Sequence, residues 1–76
     1  MSDIKEWHNR LVEERQQLFD RLSKLTQFIF ESEFFCELDP TTQALLRKQR
    51  GIMLDYLNIL DERVRLCRLA HQVSQV

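Results

Sequence analysis

From Ile4 to Ile29 the apolar residues Ile4, Trp7, Leu11, Leu18, Leu22, Leu25 and Ile29 recur mostly at intervals of three and four, and Val12, Phe19 and Phe28 widen the stripe. This spacing predicts one amphipathic helix over about residues 3–30. Ser2 or Asp3 is placed to accept its first free N–H groups, and Asp3 followed by Glu6 resembles a capping box. A second stripe follows: Leu45, Leu46, Ile52, Met53, Tyr56, Leu57, Ile59, Leu60, Val64, Cys67 and Ala70. It predicts a helix over about residues 40–69 with a frayed tail over 70–76. Asp39-Pro40 marks its start, because Asp is a good N-cap and proline at the first helical position has no N–H to leave unpaired. Gly51 interrupts this helix at a cost of about 1 kcal/mol relative to Ala, and is read as tolerated rather than as a point of close helix approach.

Residues 31–39 form the joint. Glu31-Ser32-Glu33-Phe34-Phe35-Cys36-Glu37-Leu38 is too apolar for a loose linker and too short for a third full helix. Ser32 is placed to cap a single turn that folds Phe34, Phe35 and Leu38 over the open end of the pair as a lid. A short connection between two long helices makes them antiparallel neighbours. The expected fold is therefore all-α, a single antiparallel helical hairpin over residues 1–76. Leu25 is expected near Leu45 or Leu46, Leu18 near Met53, Leu11 near Leu60, and Trp7 near Arg63 and Val64. Two helices bury one face each, and a chain of this size is marginal alone, so association into a helical bundle is expected, as a dimer or a higher ring.

Composition narrows the classes further. Among 76 residues there is one Gly and one Pro, which removes the turn material of a sandwich or barrel. Eleven Lys and Arg against twelve Asp and Glu exclude a strongly basic nucleic-acid binder. No apolar run approaches the roughly 18 residues of a membrane span, and the N-terminus lacks the apolar centre of a signal peptide, so a soluble, cytosolic protein without membrane contact is expected.

Chemistry-bearing residues are sparse. Cys36 in the joint and Cys67 near the end of the second helix are too far apart in a hairpin for a disulfide, and read as free thiols in a packing role. Cys67, His71 and His8 could meet at one end, but no C-x-x-C or H-E-x-x-H pattern supports a metal site, and none is expected. The serines read as caps or surface, neither His is placed near a Cys or Ser by spacing, and the chain is not expected to be an enzyme. Glu14, Arg21 and Gln49 interrupt the apolar stripes. They either flank the seam with their heads in water or form a polar layer that fixes its register.

The near-neutral total hides an asymmetry. Residues 1–38 carry five basic and eight acidic groups (net −3), and residues 39–76 carry six and four (net +2). Four carboxylates crowd the joint, at Glu31, Glu33, Glu37 and Asp39, while Arg63, Arg65, Arg68 and His71 gather at the opposite end beside Trp7, His8 and Arg10. Arginine forks match phosphate or carboxylate, and an indole offers a stacking face, so this end is a candidate anion site. The competing reading is a C-terminal turn whose arginines complement the helix dipole beside a Trp that anchors the core. Arg47, Lys48 and Arg50 read as a solvated face.

The pattern Leu22-x-Lys24-Leu25-x-x-Phe28-Ile29, then Phe34 and Leu38, Leu45-Leu46-x-x-Gln49, and Met53-x-x-Tyr56-x-x-Ile59-Leu60-x-x-Arg63-Val64 resembles small accessory proteins of tailed bacteriophages related to a crAss-like phage protein. The resemblance covers about residues 10–66 and implies action in the cytoplasm of an infected bacterium. Gln49, Tyr56 and Arg63 are its polar positions; at spacings of seven they share one strip, which would serve a ligand or an oligomer seam. By analogy with small phage proteins that counter host defences, the expected function is a non-enzymatic, homo-oligomeric binding protein without cofactor. It would sequester an anionic, nucleotide-like ligand or mask a host protein, with Trp7, His8, Arg10, Gln49, Tyr56, Arg63, Arg65 and Arg68 as candidate binding residues. The alternative is a regulatory module that docks on a host protein through its apolar face and binds no small molecule.

Overall fold

The computed structural model describes the backbone of residues 2–74 and the side chains of residues 5–69. The side-chain caps predicted for Ser2 and Asp3, and the side chain of His71, lie outside the described residues. Three helices follow in order: α1 over Ser2–Glu31, α2 over Glu33–Glu37 and α3 over Pro40–Ser74. The described residues contain no strand. Helix α3 continues through 70–74, where the spacing predicted a tail; the last apolar position sets where burial ends, not where backbone hydrogen bonding ends.

The punctuation acts as its chemistry dictates. The Asp39 carboxylate accepts from the Thr42 backbone N–H at 3.0 Å and from the Thr42 hydroxyl at 2.6 Å, which fixes the start of α3 just before Pro40. These hydrogen bonds from Thr42 hold the Asp39 carboxyl below its usual value. Ser32 Oγ accepts from the Phe34 N–H at 3.2 Å and caps α2. The Gln43 side-chain amide donates to the Leu38 carbonyl at 2.8 Å, tying the joint to the first turn of α3. The predicted lid is only partly formed. Phe35 turns inward, edge-on to Phe28 at 6.0 Å between ring centroids, and Leu38 is half-buried, whereas Phe34 points to solvent. In a helix of five residues, adjacent side chains diverge by about 100°, so Phe34 and Phe35 cannot both face the core.

Helices α1 and α3 pack along their length in a rod 56 × 16 × 15 Å. Contacts that rise on α1 fall on α3: His8 meets Cys67, Arg15 meets Asp61 at 2.5 Å and Thr26 meets Arg50 at 3.0 Å. The two long helices therefore run in opposite directions. The core is a single cluster of Leu11, Leu18 and Leu22 from α1 with Leu57, Leu60, Val64 and Cys67 from α3, and Val12 and Met53 pack against it. Leu60 is fully buried at its centre. A Cβ built on Gly51 meets nothing within 4 Å, so the glycine faces open space and marks no close approach.

Candidate functional site

One flank of the helix pair gathers polar side chains from both long helices. On α1, Trp7, Arg10 and Glu14 lie one turn apart and so share a face. On α3, Tyr56 and Arg63 lie seven residues apart and face them. The Arg63 guanidinium sits over the Trp7 ring, 5.8 Å from its centroid, and the Tyr56 hydroxyl donates to Glu14 at 2.8 Å. These contacts frame an open hollow of about 340 Å³ lined by Trp7, Arg10, Leu11, Glu14 and Arg63.

Its chemistry follows from the lining. Two guanidinium groups and one carboxylate leave the hollow with a net positive charge, and guanidinium forks hold planar oxyanions bidentately. Trp7 is half-exposed, so its indole is open for stacking. Glu14 supplies an acceptor. The hydrogen bond to its carboxylate raises the Tyr56 phenol above the ordinary value; desolvation and the Glu14 charge act the same way, and Arg63 opposes them. A second hollow of about 410 Å³, near the joint, is lined by Lys24, Gln27, Phe28, Glu31 and Ser32 and has no pair of cations.

The structure brings together Trp7, Arg10 and Arg63 of the residues singled out in the sequence, and links Tyr56 to them through Glu14. The others stand apart. Gln49 lies on the same strip of α3 as Tyr56 and Arg63, but two heptads from Arg63, with its amide nitrogen 3.8 Å from Met53 Sδ. Arg65 pairs with Glu62 on its own helix, which lowers the Glu62 pKa and raises that of Arg65. Arg65 and Arg68 are two and five positions beyond Arg63, which turns both well away from the hollow.

His8 reaches the Cys67 end of the pair, as antiparallel packing implies: its Nδ1 lies 3.3 Å from Cys67 Sγ, a contact made across the two helices. Cys67 is only 6% exposed, so the pair closes one end of the core and does not face the hollow. Among the described residues no three His, Cys, Asp or Glu side chains converge on a common point, and Cys36 and Cys67 are both free. Two lining residues were missed. Glu14 had been read only as a seam residue and Leu11 only as core; the signal was that Trp7, Arg10, Leu11 and Glu14 are mutual neighbours at intervals of three and four.

The Sequestin family model matches residues 5–66, from the start of the described side chains to beyond Arg63. The chain belongs to the Sequestin family. The matched region contains every lining residue of the Trp7–Arg63 hollow together with Gln49 and Tyr56, and ends before Arg68. No curated protein and no solved structure matches the chain. Among the described residues no helix is long and apolar enough to cross a membrane.

Proposed function

We propose that this protein is a non-enzymatic sequestering protein that holds an anionic, nucleotide-like ligand in the Trp7–Arg63 hollow, as an oligomer of helical hairpins. The observation that carries the reading is the convergence of Arg10 and Arg63 on an exposed indole across two helices. A phosphate takes the guanidinium groups, a base stacks on Trp7, and Glu14 accepts from an exocyclic amine. The name of the Sequestin family agrees with a protein that withdraws its ligand from use rather than converting it. The resemblance to phage accessory proteins supports an activity in the cytoplasm of an infected bacterium, where binding a nucleotide signal would counter a host defence.

Calorimetric titration with cyclic dinucleotides and linear mononucleotides tests this. Saturable binding is expected, weakened at least tenfold by Arg63→Ala and by Trp7→Ala, with the ligand recovered chemically unchanged. Heat changes that fail to saturate with every nucleotide would remove the sequestering reading, and a converted product would make the protein an enzyme.

The masking of a host protein is the second reading. It is favoured by the exposed apolar side chains of α3, among them Ile52 and Ile59, which a partner helix could cover. It predicts a one-to-one complex with a single host protein that Arg63→Ala leaves intact.

A further inference from the structure

Helix α3 carries two apolar stripes, and α1 covers one of them. Leu57, Leu60, Val64 and Cys67 are buried in the core, whereas Leu45, Ile52, Ile59 and Leu66 are 61, 59, 57 and 52% exposed. The exposed four recur at intervals of seven, the period that keeps one face of a helix against a partner helix as the two wind gently around each other. They extend over about 32 Å at 1.5 Å per residue. The five-residue α2 is confined to the joint and does not reach them.

We infer that this stripe receives a second copy of the chain, α3 against α3 and antiparallel, with the two-fold axis passing near Tyr56. The stripe is its own complement about that point. Leu45 faces Leu66 of the second copy and Ile52 faces Ile59, so side chains of equal size meet in every layer. The two flanks follow the same rule. On one, Lys48 meets Glu62 of the second copy; on the other, Gln49 meets Arg63 and the two Tyr56 rings approach each other at the axis.

In a parallel pair the two flanks cross, so Lys48 would meet Gln49 and Glu62 would meet Arg63 of the second copy; the antiparallel pair is the arrangement that gives Lys48 an acidic partner. The antiparallel pair carries one like-charge approach, Asp55 to Asp55 beside the axis. A surface shaped for an unrelated protein has no reason to repeat its own sequence in reverse, and this selects a second copy as the occupant. The four aliphatic side chains expose on the order of 400 Å² per chain. With both flanks, pairing removes about 1,200 Å² in total, the lower end of specific interfaces.

The pairing also completes the hollow. Arg63 lies on the flank shared with α1, so Gln49 of the second copy arrives beside it and adds an amide donor and acceptor at the mouth. This last step rests on the proposed function; the pairing does not.

Sedimentation equilibrium without any nucleotide tests the pairing, while nucleotide titration tests the function, so each can fail without the other. The wild-type chain is expected at twice its monomer mass at micromolar concentration. Ile52→Glu is expected to reduce it to a monomer. Because an isolated monomer is marginally stable, the deciding variants are charge changes on exposed residues. Lys48→Glu is expected to weaken association roughly three- to tenfold, and Lys48→Glu combined with Glu62→Lys to restore it. A monomeric wild type, or a double variant no tighter than the single one, overturns the antiparallel pairing.

Discussion

Leu60 and Ile59 are neighbours on α3, about 100° apart around the helix, and they separate the two apolar stripes. Leu60 is fully buried and Ile59 is 57% exposed. Truncating Leu60 to Ala removes its methyl groups from the centre of the cluster. The surrounding Leu11, Leu57 and Val64 sit on two long helices that cannot collapse locally into the space. The expected cost is about 3 kcal/mol, within the usual range for a leucine in a core. For a chain of this length, total stability is about 4–11 kcal/mol, so one substitution removes between a quarter and three quarters of it. Ile59→Ala in a single helix pair should cost no more than about 0.5 kcal/mol, since the side chain is largely in water and alanine favours the helix.

Urea unfolding followed by circular dichroism at 222 nm reads both numbers. At concentrations where the chain is monomeric, Leu60→Ala should lower the midpoint by about 2–3 M for a slope near 1–1.5 kcal/mol per M, and Ile59→Ala should leave it within error. The inferred pairing predicts that at high concentration the wild type gains stability that Ile59→Ala loses. Equal costs for the two substitutions in the monomer would mean that α3 is rotated from the orientation described, and would refute the two-stripe reasoning.

Gly51→Ala should raise stability by about 0.5–1 kcal/mol, since its Cβ meets only open space; a loss on thermal melting would mean that something covers this face. Tyr56 is the single tyrosine, so absorbance at 295 nm follows its ionisation directly. With the folded pKa raised above the ordinary tyrosine value, the stabilising contact with Glu14 is fully present below that ordinary value and lost as pH rises through the folded one. Glu14→Gln should bring the midpoint down. A thiol-reactive dye should label exposed Cys36 rapidly and buried Cys67 only at the rate of unfolding; two fast thiols would contradict the His8–Cys67 packing.

The helices were legible because their signals are local. Apolar spacing set α1 and α3 to within a few residues at most ends, and Asp39-Pro40 and Ser32 marked caps that form as hydrogen bonds. The contact of Trp7 with Arg63 was legible too, because a short joint and equal rise per residue fix the register of two opposed helices. Two features were not legible in this way. The outward turn of Phe34 depends on which side of a five-residue helix meets the core. The division of α3 into a covered and an open stripe emerges only once α1 is in place, since the sequence presents Leu57, Ile59 and Leu60 as one apolar run.

Arg63 stands where these features intersect. It lies on the strip between the two stripes of α3, stacks on Trp7 from one side and borders the second stripe on the other. A ligand held by Arg63 and by Gln49 of a second copy therefore contacts both subunits. Linkage then requires that the factor by which the ligand tightens pairing equal the factor by which pairing tightens ligand binding. Lys48→Glu, far from the hollow on its own chain, should consequently weaken nucleotide binding, by no more than that coupling factor, over concentrations where the dimer is partly dissociated. Binding that ignores this substitution would leave the hollow complete within one chain, and Gln49 would then have no part in it.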